Sequence, residues 1–171
     1  MLECKPCKTP VAYGKRASLY DGTLLTDAAS YRSLVGGIQY LNMSRPDLSF
    51  AVNYVSQFMH QPTDVHLQLA KSILRYVKGS LGSGIKFKPG DCTTISAYSD
   101  SDWAGCPDTR KSTTGYCVFM GPNLVAWSSK KQPTISRSST EAEYKAFEVT
   151  ATEVQWISYL LNELGFSVTT P

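Results

Sequence analysis

Residues 115–146 decide the fold, and they read GYCVFMGPNLVAWSSKKQPTISRSSTEAEYKA. Two runs rich in aromatic and β-branched residues, 115–120 and 124–128, predict β-strands. They are separated by Gly121-Pro122-Asn123, a short connection that suits an antiparallel hairpin. Ser138-Ser139-Thr140-Glu141 has the spacing of a capping box and predicts the start of a long helix. A hairpin followed by a helix indicates an α/β fold.

The predicted helix extends to Gly165, a residue type that commonly ends helices. Its inward face is expected to consist of Ala142, Ala146, Val149, Glu153, Ile157, Leu160 and Leu164, with Glu153 as a polar exception. Upstream of the hairpin, Ile85-Lys86-Phe87-Lys88 and residues 93–99 predict two more strands, separated by a Pro89-Gly90 turn. The sheet is therefore expected to form in sequence order before the helix.

Before residue 83 the pattern is helical, with three apolar stripes in succession. The first stripe is Tyr31, Leu34, Val35, Ile38 and Leu41. The second lies between Pro46 and Pro62, and the third between Thr63, a residue type that caps helices, and Gly79. Three short helices in a row predict a small helical subdomain.

We therefore expect three parts: an extended lead-in over residues 1–29, the helical subdomain over 30–82, and a strand-and-helix domain over 83–171. The lead-in contains prolines and glycines without sustained periodicity, so it should pack only in places. The composition, with 42% hydrophobic and 18% charged residues, excludes wholesale disorder.

No apolar run approaches the roughly 18 residues of a membrane helix. The first ten residues lack the apolar core of a signal peptide, so we expect an intracellular protein without membrane contact. The sequence does not indicate a compartment. Its five cysteines are odd in number and irregularly spaced, which predicts reduced thiols.

The net charge of +3 is divided unevenly along the chain. Residues 1–90 carry 11 basic and 5 acidic side chains, whereas residues 91–171 carry 6 and 9. Such a division suits a nucleic-acid surface beside a carboxylate metal site, although it also arises by chance. On the third helix, Lys71, Arg75 and Lys78 follow one another at helical spacing. This stripe could contact phosphates, but the spacing alone favours a solvated face.

Two carboxylates occupy positions from which they could converge on one site. Asp100 ends the first central strand, and Glu143 lies in the first turns of the long helix. Hydrolysis of a phosphodiester by two metal ions about 4 Å apart needs several carboxylates on a rigid scaffold. Two are too few for that chemistry. Taken singly, Asp100 also suits a strand-end turn, and Glu143 suits the helix dipole.

Several long strings carry a resemblance to copia-type retrotransposon Pol polyproteins. Residues 31–41 (YRSLVGGIQYL), 44–53 (SRPDLSFAVN) and 74–79 (LRYVKG) resemble the region that follows the reverse-transcriptase core. The second half resembles the ribonuclease H domain through SDSDWAG (99–105), RKSTTGY (110–116), WSSKKQP (127–133) and SRSSTEAEY (136–144). The resemblance covers nearly the whole chain.

The resemblance implies a ribonuclease H-like fold in which four acidic residues hold two Mg²⁺ or Mn²⁺ ions and cut the RNA strand of an RNA–DNA hybrid. Asp100 matches the first acid and Glu143 the second, with Asp102 and Glu141 as second choices. The other two acids follow the long helix in the family, whereas this chain ends at residues 168–171. We therefore expect an incomplete fold that lacks its later strands and full activity.

The resemblance also implies a partner, the RNA–DNA hybrid. From charge and spacing, the candidate contacts are Lys71, Arg75, Lys78, Lys130 and Lys131. The Tyr-x-Asp-Asp motif of the polymerase is absent from the sequence, which excludes reverse transcription by this chain. Without its parallel neighbour, the strand that contains residues 94–99 should have an exposed edge, which predicts marginal stability or association. The alternative is a non-catalytic remnant that binds nucleic acid or has no selected role.

Overall fold

A computed structural model describes residues 3–11, Gly14 and residues 16–167. The chain divides into two compact units, Met1–Gly84 and Ile85–Pro171. The described residues form four α-helices and a three-stranded antiparallel sheet, which confirms the α/β class. None of the helices in this part of the chain is long and apolar enough to cross a bilayer. The predicted chain end at residues 168–171 lies outside the described residues.

The first unit contains the three predicted helices. They are α1 (Ala28–Leu41), α2 (Ser49–Ser56), which follows a 3₁₀ turn at Pro46–Leu48, and α3 (Asp64–Gly79). Their apolar stripes meet in one core, which comprises Tyr31, Val35, Ile38, Leu48, Ala51, Val52, Tyr54, Val55, Phe58, Ala70 and Ile73. The helical period of the sequence therefore predicted this packing correctly.

The start of α3 is held by a buried histidine as well as by the predicted cap. The Thr63 side chain accepts a hydrogen bond from the His66 backbone, and His66 Nδ1 accepts one from the Thr63 N–H at 3.0 Å. The imidazole stacks on Phe58 with ring centroids 3.8 Å apart. His66 Nε2 lies 3.0 Å from the carbonyl oxygen of Ser18, which can only accept, so Nε2 carries the proton. The neutral imidazole thus completes a capping box.

The described part of the lead-in packs against the helices through backbone hydrogen bonds. Leu24 forms an isolated antiparallel bridge with Thr63. The Asp64 N–H donates to the Thr23 carbonyl at 3.0 Å, and the Asp64 carboxylate accepts from the Thr23 N–H at 2.7 Å. The helix start and the lead-in therefore satisfy each other's polar groups.

An ion pair between a buried arginine and an exposed aspartate lies elsewhere in this unit. The Arg45 guanidinium donates to both carboxylate oxygens of Asp47, at 2.9 and 2.8 Å, and also to the carbonyl and hydroxyl of Ser80. It lies over the Tyr76 ring, whose hydroxyl donates to Asp47 at 2.8 Å. The bidentate geometry ties the turn before α2 to the end of α3.

The second unit contains the sheet and the long helix. The strands are β1 (Ile95–Ser101), β2 (Thr113–Met120) and β3 (Asn123–Lys131), and the helix α4 spans Ser139–Glu163. They pair antiparallel in the order β1-β2-β3, as the hairpin pattern predicted. The strand predicted at Ile85-Lys86-Phe87-Lys88 is wrong, because these residues have no strand structure.

The β2–β3 turn explains that difference. The Asn123 side chain accepts from the Lys88 N–H at 2.7 Å and donates to the Lys88 carbonyl at 3.0 Å, so an amide side chain satisfies the backbone where a neighbouring strand would. The same turn requires glycine at position 121. Gly121 has φ +54°, and a Cβ there would overlap the carbonyl oxygen of Asp91.

Helix α4 begins and ends near the predicted residues, but its buried face is rotated from the prediction. Val149, Leu160 and Leu164 are exposed, whereas Thr150 and Ser158 are buried. The residues that pack on the sheet are Ala142, Ala146, Thr150, Val154, Ile157, Ser158 and Leu161. Small and hydroxyl-bearing residues fit close to the strands, and the Thr150 and Ser158 hydroxyls donate to carbonyls of the helix.

The outer edge of β1 has no neighbouring strand among the described residues. A groove of about 690 Å³ runs beside it, between Ile95, Ala97 and Ser99 of the strand and Phe147 and Tyr159 of α4. Phe147 and Tyr159 are largely exposed. The structure therefore has the open strand edge that the sequence predicted.

Candidate active site

The two carboxylates favoured by the sequence lie where β1 ends and α4 begins. The Glu143 carboxylate accepts a hydrogen bond from the Ser101 N–H at 3.3 Å. Ser101 directly follows Asp100, so this contact brings the helix carboxylate to the end of the strand that holds the other acid. Asp100 and Glu143 are both exposed. Their side chains are therefore accessible to solvent, metal ions and substrate.

The two second-choice acids are held by other contacts. Asp102 accepts from the Thr113 N–H at 2.5 Å, which extends the pairing of β1 and β2 by one step. Glu141 accepts from the Arg137 N–H at 2.7 Å and forms an ion pair with Lys145 at 2.8 Å. The hydrogen bond from Lys145 is the main cause that lowers the pKa of Glu141. These contacts hold the Asp102 and Glu141 carboxylates within the chain.

A buried glutamine supports the site from behind. Gln132, only 5% exposed, donates through Nε2 to the Ser101 hydroxyl at 3.1 Å, the Thr114 hydroxyl at 3.1 Å and the Ala142 carbonyl at 3.0 Å. Its Oε1 accepts from the Ser136 hydroxyl at 2.9 Å. Ser101 adjoins Asp100, and Ala142 adjoins Glu143. One side chain therefore fixes the strand end and the helix start relative to each other.

Sequence reasoning gave Gln132 no role. It belongs to the string WSSKKQP (127–133) that carries the resemblance, but its place between the Lys130-Lys131 pair and Pro133 has no periodicity of strand or helix that would indicate a role. The loop it belongs to is further held by Trp103, whose indole N–H donates to the Ser136 carbonyl at 3.1 Å. A polar residue of this kind is recognised only from the contacts that converge on it.

The described residues contain no group of three or more His, Cys, Asp or Glu side chains that could hold a metal ion. Mg²⁺ is often held by one or two carboxylates together with water and substrate phosphates. In number and chemical type, the exposed carboxylates of Asp100 and Glu143 would suit one such ion. They do not fit two ions, because two carboxylates supply too few oxygens and too little negative charge.

Two of the three basic residues predicted as a stripe on α3 form hydrogen bonds within the first unit. Arg75 donates to the Lys5 carbonyl at 2.9 Å, and Lys78 donates to the Cys4 carbonyl at 2.8 Å, so both hold the lead-in. Lys71 is exposed. These contacts are with neutral carbonyls, so the positive charges remain uncompensated by them.

The two lysines at the end of β3 differ in their surroundings. Lys130 is exposed, whereas the ammonium of Lys131 lies 3.0 Å from the sulfur of Cys106. Lys130 pairs in register with Thr114, which in turn pairs with Ser101. Lys130 therefore lies at the same end of the sheet as Asp100.

Comparison with known proteins shows where such a chain occurs. It is 52% identical over 171 residues to the retrovirus-related Pol polyprotein from transposon RE1 of Arabidopsis thaliana, and 49% identical to that from transposon RE2. Each alignment covers the whole chain and 12% of the polyprotein. A further relative is the uncharacterized mitochondrial protein AtMg00810 of the same plant, 48% identical over 92% of this chain and 65% of its own length.

No family model matches the chain, and no solved structure matches it. The chain spans about an eighth of the polyproteins it matches, and identity near 50% extends from its first residue to its last. The chain belongs to the retrovirus-related Pol polyproteins of copia-type transposons.

Proposed function

We propose that the second unit is the first part of a ribonuclease H-like domain, and that the parent polyprotein hydrolyses the RNA strand of RNA–DNA hybrids during reverse transcription. In this proposal Asp100 and Glu143 are metal ligands. The observation that carries it is the contact of the Glu143 carboxylate with the Ser101 N–H, which brings this carboxylate to the residue next to Asp100. The described residues contain no group of three or more such ligands, so in this proposal they supply only part of a two-ion site, and we expect them to lack full activity.

A bound Mg²⁺ would supply charge stabilisation for attack on a phosphate. The contribution of this chain is positional. The ladder of β1 with β2 fixes Asp100, and the cap of α4 at Ser138 fixes the start of the helix that carries Glu143. Gln132 links the two elements. Preorganised carboxylates of this kind avoid reorganisation when the ion and the phosphate bind.

Cleavage of a labelled RNA–DNA hybrid in Mg²⁺ or Mn²⁺ tests this proposal. The 171-residue chain should not cleave it, whereas a longer polyprotein segment that continues past residue 171 should. In the longer segment, Asp100→Asn should abolish cleavage. Asp91→Asn is the matched control, because this exposed acid lies before β1 at the opposite end of the strand and should leave cleavage unchanged. Cleavage that survives Asp100→Asn would refute the assignment of the site.

A second candidate function is binding of nucleic acid without cleavage. The predicted contacts are Lys71, Arg75, Lys78, Lys130 and Lys131. Lys71 and Lys130 are exposed and can reach phosphates directly. Arg75, Lys78 and Lys131 already donate hydrogen bonds within the chain, so they contribute mainly through their charge.

The salt dependence of hybrid affinity separates these roles. Lys71→Ala combined with Lys130→Ala should lower the slope of log affinity against log salt by about 1 to 2, since each lost phosphate contact removes about one unit. Arg75→Ala combined with Lys78→Ala, which removes the same charge, should lower it less. An equal slope in wild type and the Lys71/Lys130 variant would exclude these contacts.

The open edge of β1 supports a further part of the proposal, association through strand pairing. The backbone N–H groups of successive residues in a strand point to opposite sides of it. The Asp102 N–H donates to the Thr113 carbonyl of β2, so the N–H groups of Ile95, Ala97 and Ser99 point away from β2, toward the open edge. Helix α4 packs over β1 and forms one wall of the groove beside the strand. This groove has room for a single extended segment more easily than for a second sheet with its own helix. The proposed occupant is one extended strand, supplied by a second copy when the chain is isolated.

Sedimentation over a range of protein concentrations tests this association. Ser99→Pro should abolish it, because proline at an outward-facing position removes an edge donor without removing a bond to β2. Ser99→Ala, which keeps the N–H, should associate like the wild type. A wild-type chain that stays monomeric throughout would contradict the proposal.

A further inference from the structure

Cys106 lies in a tightly folded loop between β1 and β2, outside the candidate active site. Its N–H donates to the Lys111 carbonyl at 3.1 Å, and its carbonyl accepts from the Arg110 N–H at 2.9 Å. Ala104 and Arg110, on either side, both have φ +53°, a conformation that costs energy for residues with side chains. The loop thus holds the cysteine in one fixed position.

The thiol of Cys106 faces an amine. Lys131, at the end of β3, places its ammonium 3.0 Å from the Cys106 sulfur. Burial by itself disfavours the thiolate, and Cys106 is only 9% exposed. The hydrogen bonds from Lys131 and Thr109 outweigh that effect and lower the pKa of Cys106 to about 7. Cys117 on β2 is the opposite case, because burial raises its pKa.

A thiolate in contact with a primary amine has a defined oxidative chemistry, since sulfenic acids condense with nitrogen nucleophiles to form sulfenamides. We propose that Cys106 and Lys131 form a reversible sulfur–nitrogen crosslink when the chain meets hydrogen peroxide. The crosslink ties the end of β3 to the loop that leaves β1. It is a modification site made of two side chains, separate from Asp100 and Glu143.

The reaction balances with peroxide as the oxidant. The Cys106 thiolate attacks one peroxide oxygen, the S–O bond forms and the O–O bond breaks, and the Lys131 ammonium protonates the leaving hydroxide to water. The neutral amine then attacks the sulfenic sulfur, the N–S bond forms and the S–O bond breaks. The departing hydroxide takes the proton released by nitrogen. Sulfur loses two electrons, peroxide gains two, and two waters leave; a thiol reductant reverses the bond.

Mass spectrometry of the peroxide-treated full chain tests this proposal. A variant with serine at the other four cysteines excludes internal disulfides, so its crosslink appears as a loss of two hydrogen atoms that a thiol reductant restores. In the wild type, digestion should yield a joined peptide that contains Cys106 and Lys131. At neutral pH, Cys106 should also react with peroxide at least about tenfold faster than Cys117, because far more of it is thiolate.

Two lysine variants make the test specific. Lys131→Arg keeps the positive charge but replaces the nucleophilic amine, so Cys106 should gain one oxygen and be trapped by a sulfenic-acid reagent. Lys130→Arg, a change at the exposed neighbour, should leave the crosslink intact. The proposal is wrong if the wild type only gains oxygen, or if the loss of two hydrogens persists in Lys131→Arg.

Discussion

Replacement of Gln132 by alanine should destabilise the second unit strongly. The substitution removes the partners of four groups: the Ser101 and Thr114 hydroxyls, the Ala142 carbonyl and the Ser136 hydroxyl. Ser101 keeps a bond to the Asp102 carbonyl, and the Ala142 carbonyl lies within a helix. The Ser136 hydroxyl loses the acceptor of its proton but keeps a hydrogen bond from Lys145, so the Thr114 hydroxyl loses most. At about 1–3 kcal/mol for each buried group left unsatisfied, we expect a loss of about 3 kcal/mol.

Tryptophan fluorescence during urea unfolding measures this loss in the right unit. All three tryptophans, at positions 103, 127 and 156, belong to residues 85–171. Gln155→Ala is the matched control, because the Gln155 amide donates to the Tyr159 hydroxyl on the exposed surface of α4. The control should change the free energy of unfolding by less than about 0.5 kcal/mol. If Gln132→Ala behaves like the control, Gln132 does not hold the site together.

Three other perturbations test separate parts of the fold. The hydrogen bond from Arg45 is the main cause that lowers the pKa of Asp47, so this contact stabilises the folded chain above the unfolded carboxyl pKa of roughly 3.9 and is lost as pH falls through the lowered folded value. Asp47→Asn should therefore reduce the loss of helical circular dichroism over that acidic range. Thr63→Ala should lower the stability of the first unit by about 1 kcal/mol in urea unfolding followed by circular dichroism, because α3 loses its N-cap. Gly121→Ala should lower the midpoint of unfolding by tryptophan fluorescence and cost more than about 1 kcal/mol, because alanine must adopt a positive φ against the Asp91 carbonyl.

The elements that the sequence predicted correctly have short-range causes. The hairpin rests on two β-prone runs and a turn, and α3 rests on an N-cap, an apolar stripe and a terminal glycine. Each signal acts within a few residues of the element that it specifies. The order β1-β2-β3 followed from sequence order for the same reason, since consecutive antiparallel strands pair through short connections.

The errors have long-range causes. Residues 85–88 have strand-like composition, but the backbone of Lys88 forms hydrogen bonds with the side-chain amide of Asn123, 35 residues away, rather than with a neighbouring strand. The buried face of α4 includes Thr150 and Ser158, because the helix lies close enough to the sheet to need small residues. The hydrophobic periodicity of a segment does not indicate which strand it will pair with, or how close a helix will lie to a sheet.

The candidate site divides along the same line. Asp100 and Glu143 could be proposed from their places at the end of a strand and the start of a helix. Gln132 could not, because its contacts join residues far apart in sequence. Outside the site, the same holds for the His66 contact with Ser18 and for the Cys106–Lys131 contact. Sequence analysis therefore found the groups that face solvent, and the structure found those that hold them in place.

The family strings of the first unit have a structural explanation of their own. In SRPDLSFAVN, Arg45 and Asp47 form the ion pair that joins the turn before α2 to the end of α3, and Pro46 begins the 3₁₀ turn. In LRYVKG, Arg75 and Lys78 hold the lead-in, and Tyr76 binds Asp47. In this chain the two strings therefore supply contacts that pack the helices of the first unit. The acids that resemble the family's metal ligands lie in the second unit, where Asp100 and Glu143 are exposed and Gln132, which contacts the residues next to them, is buried.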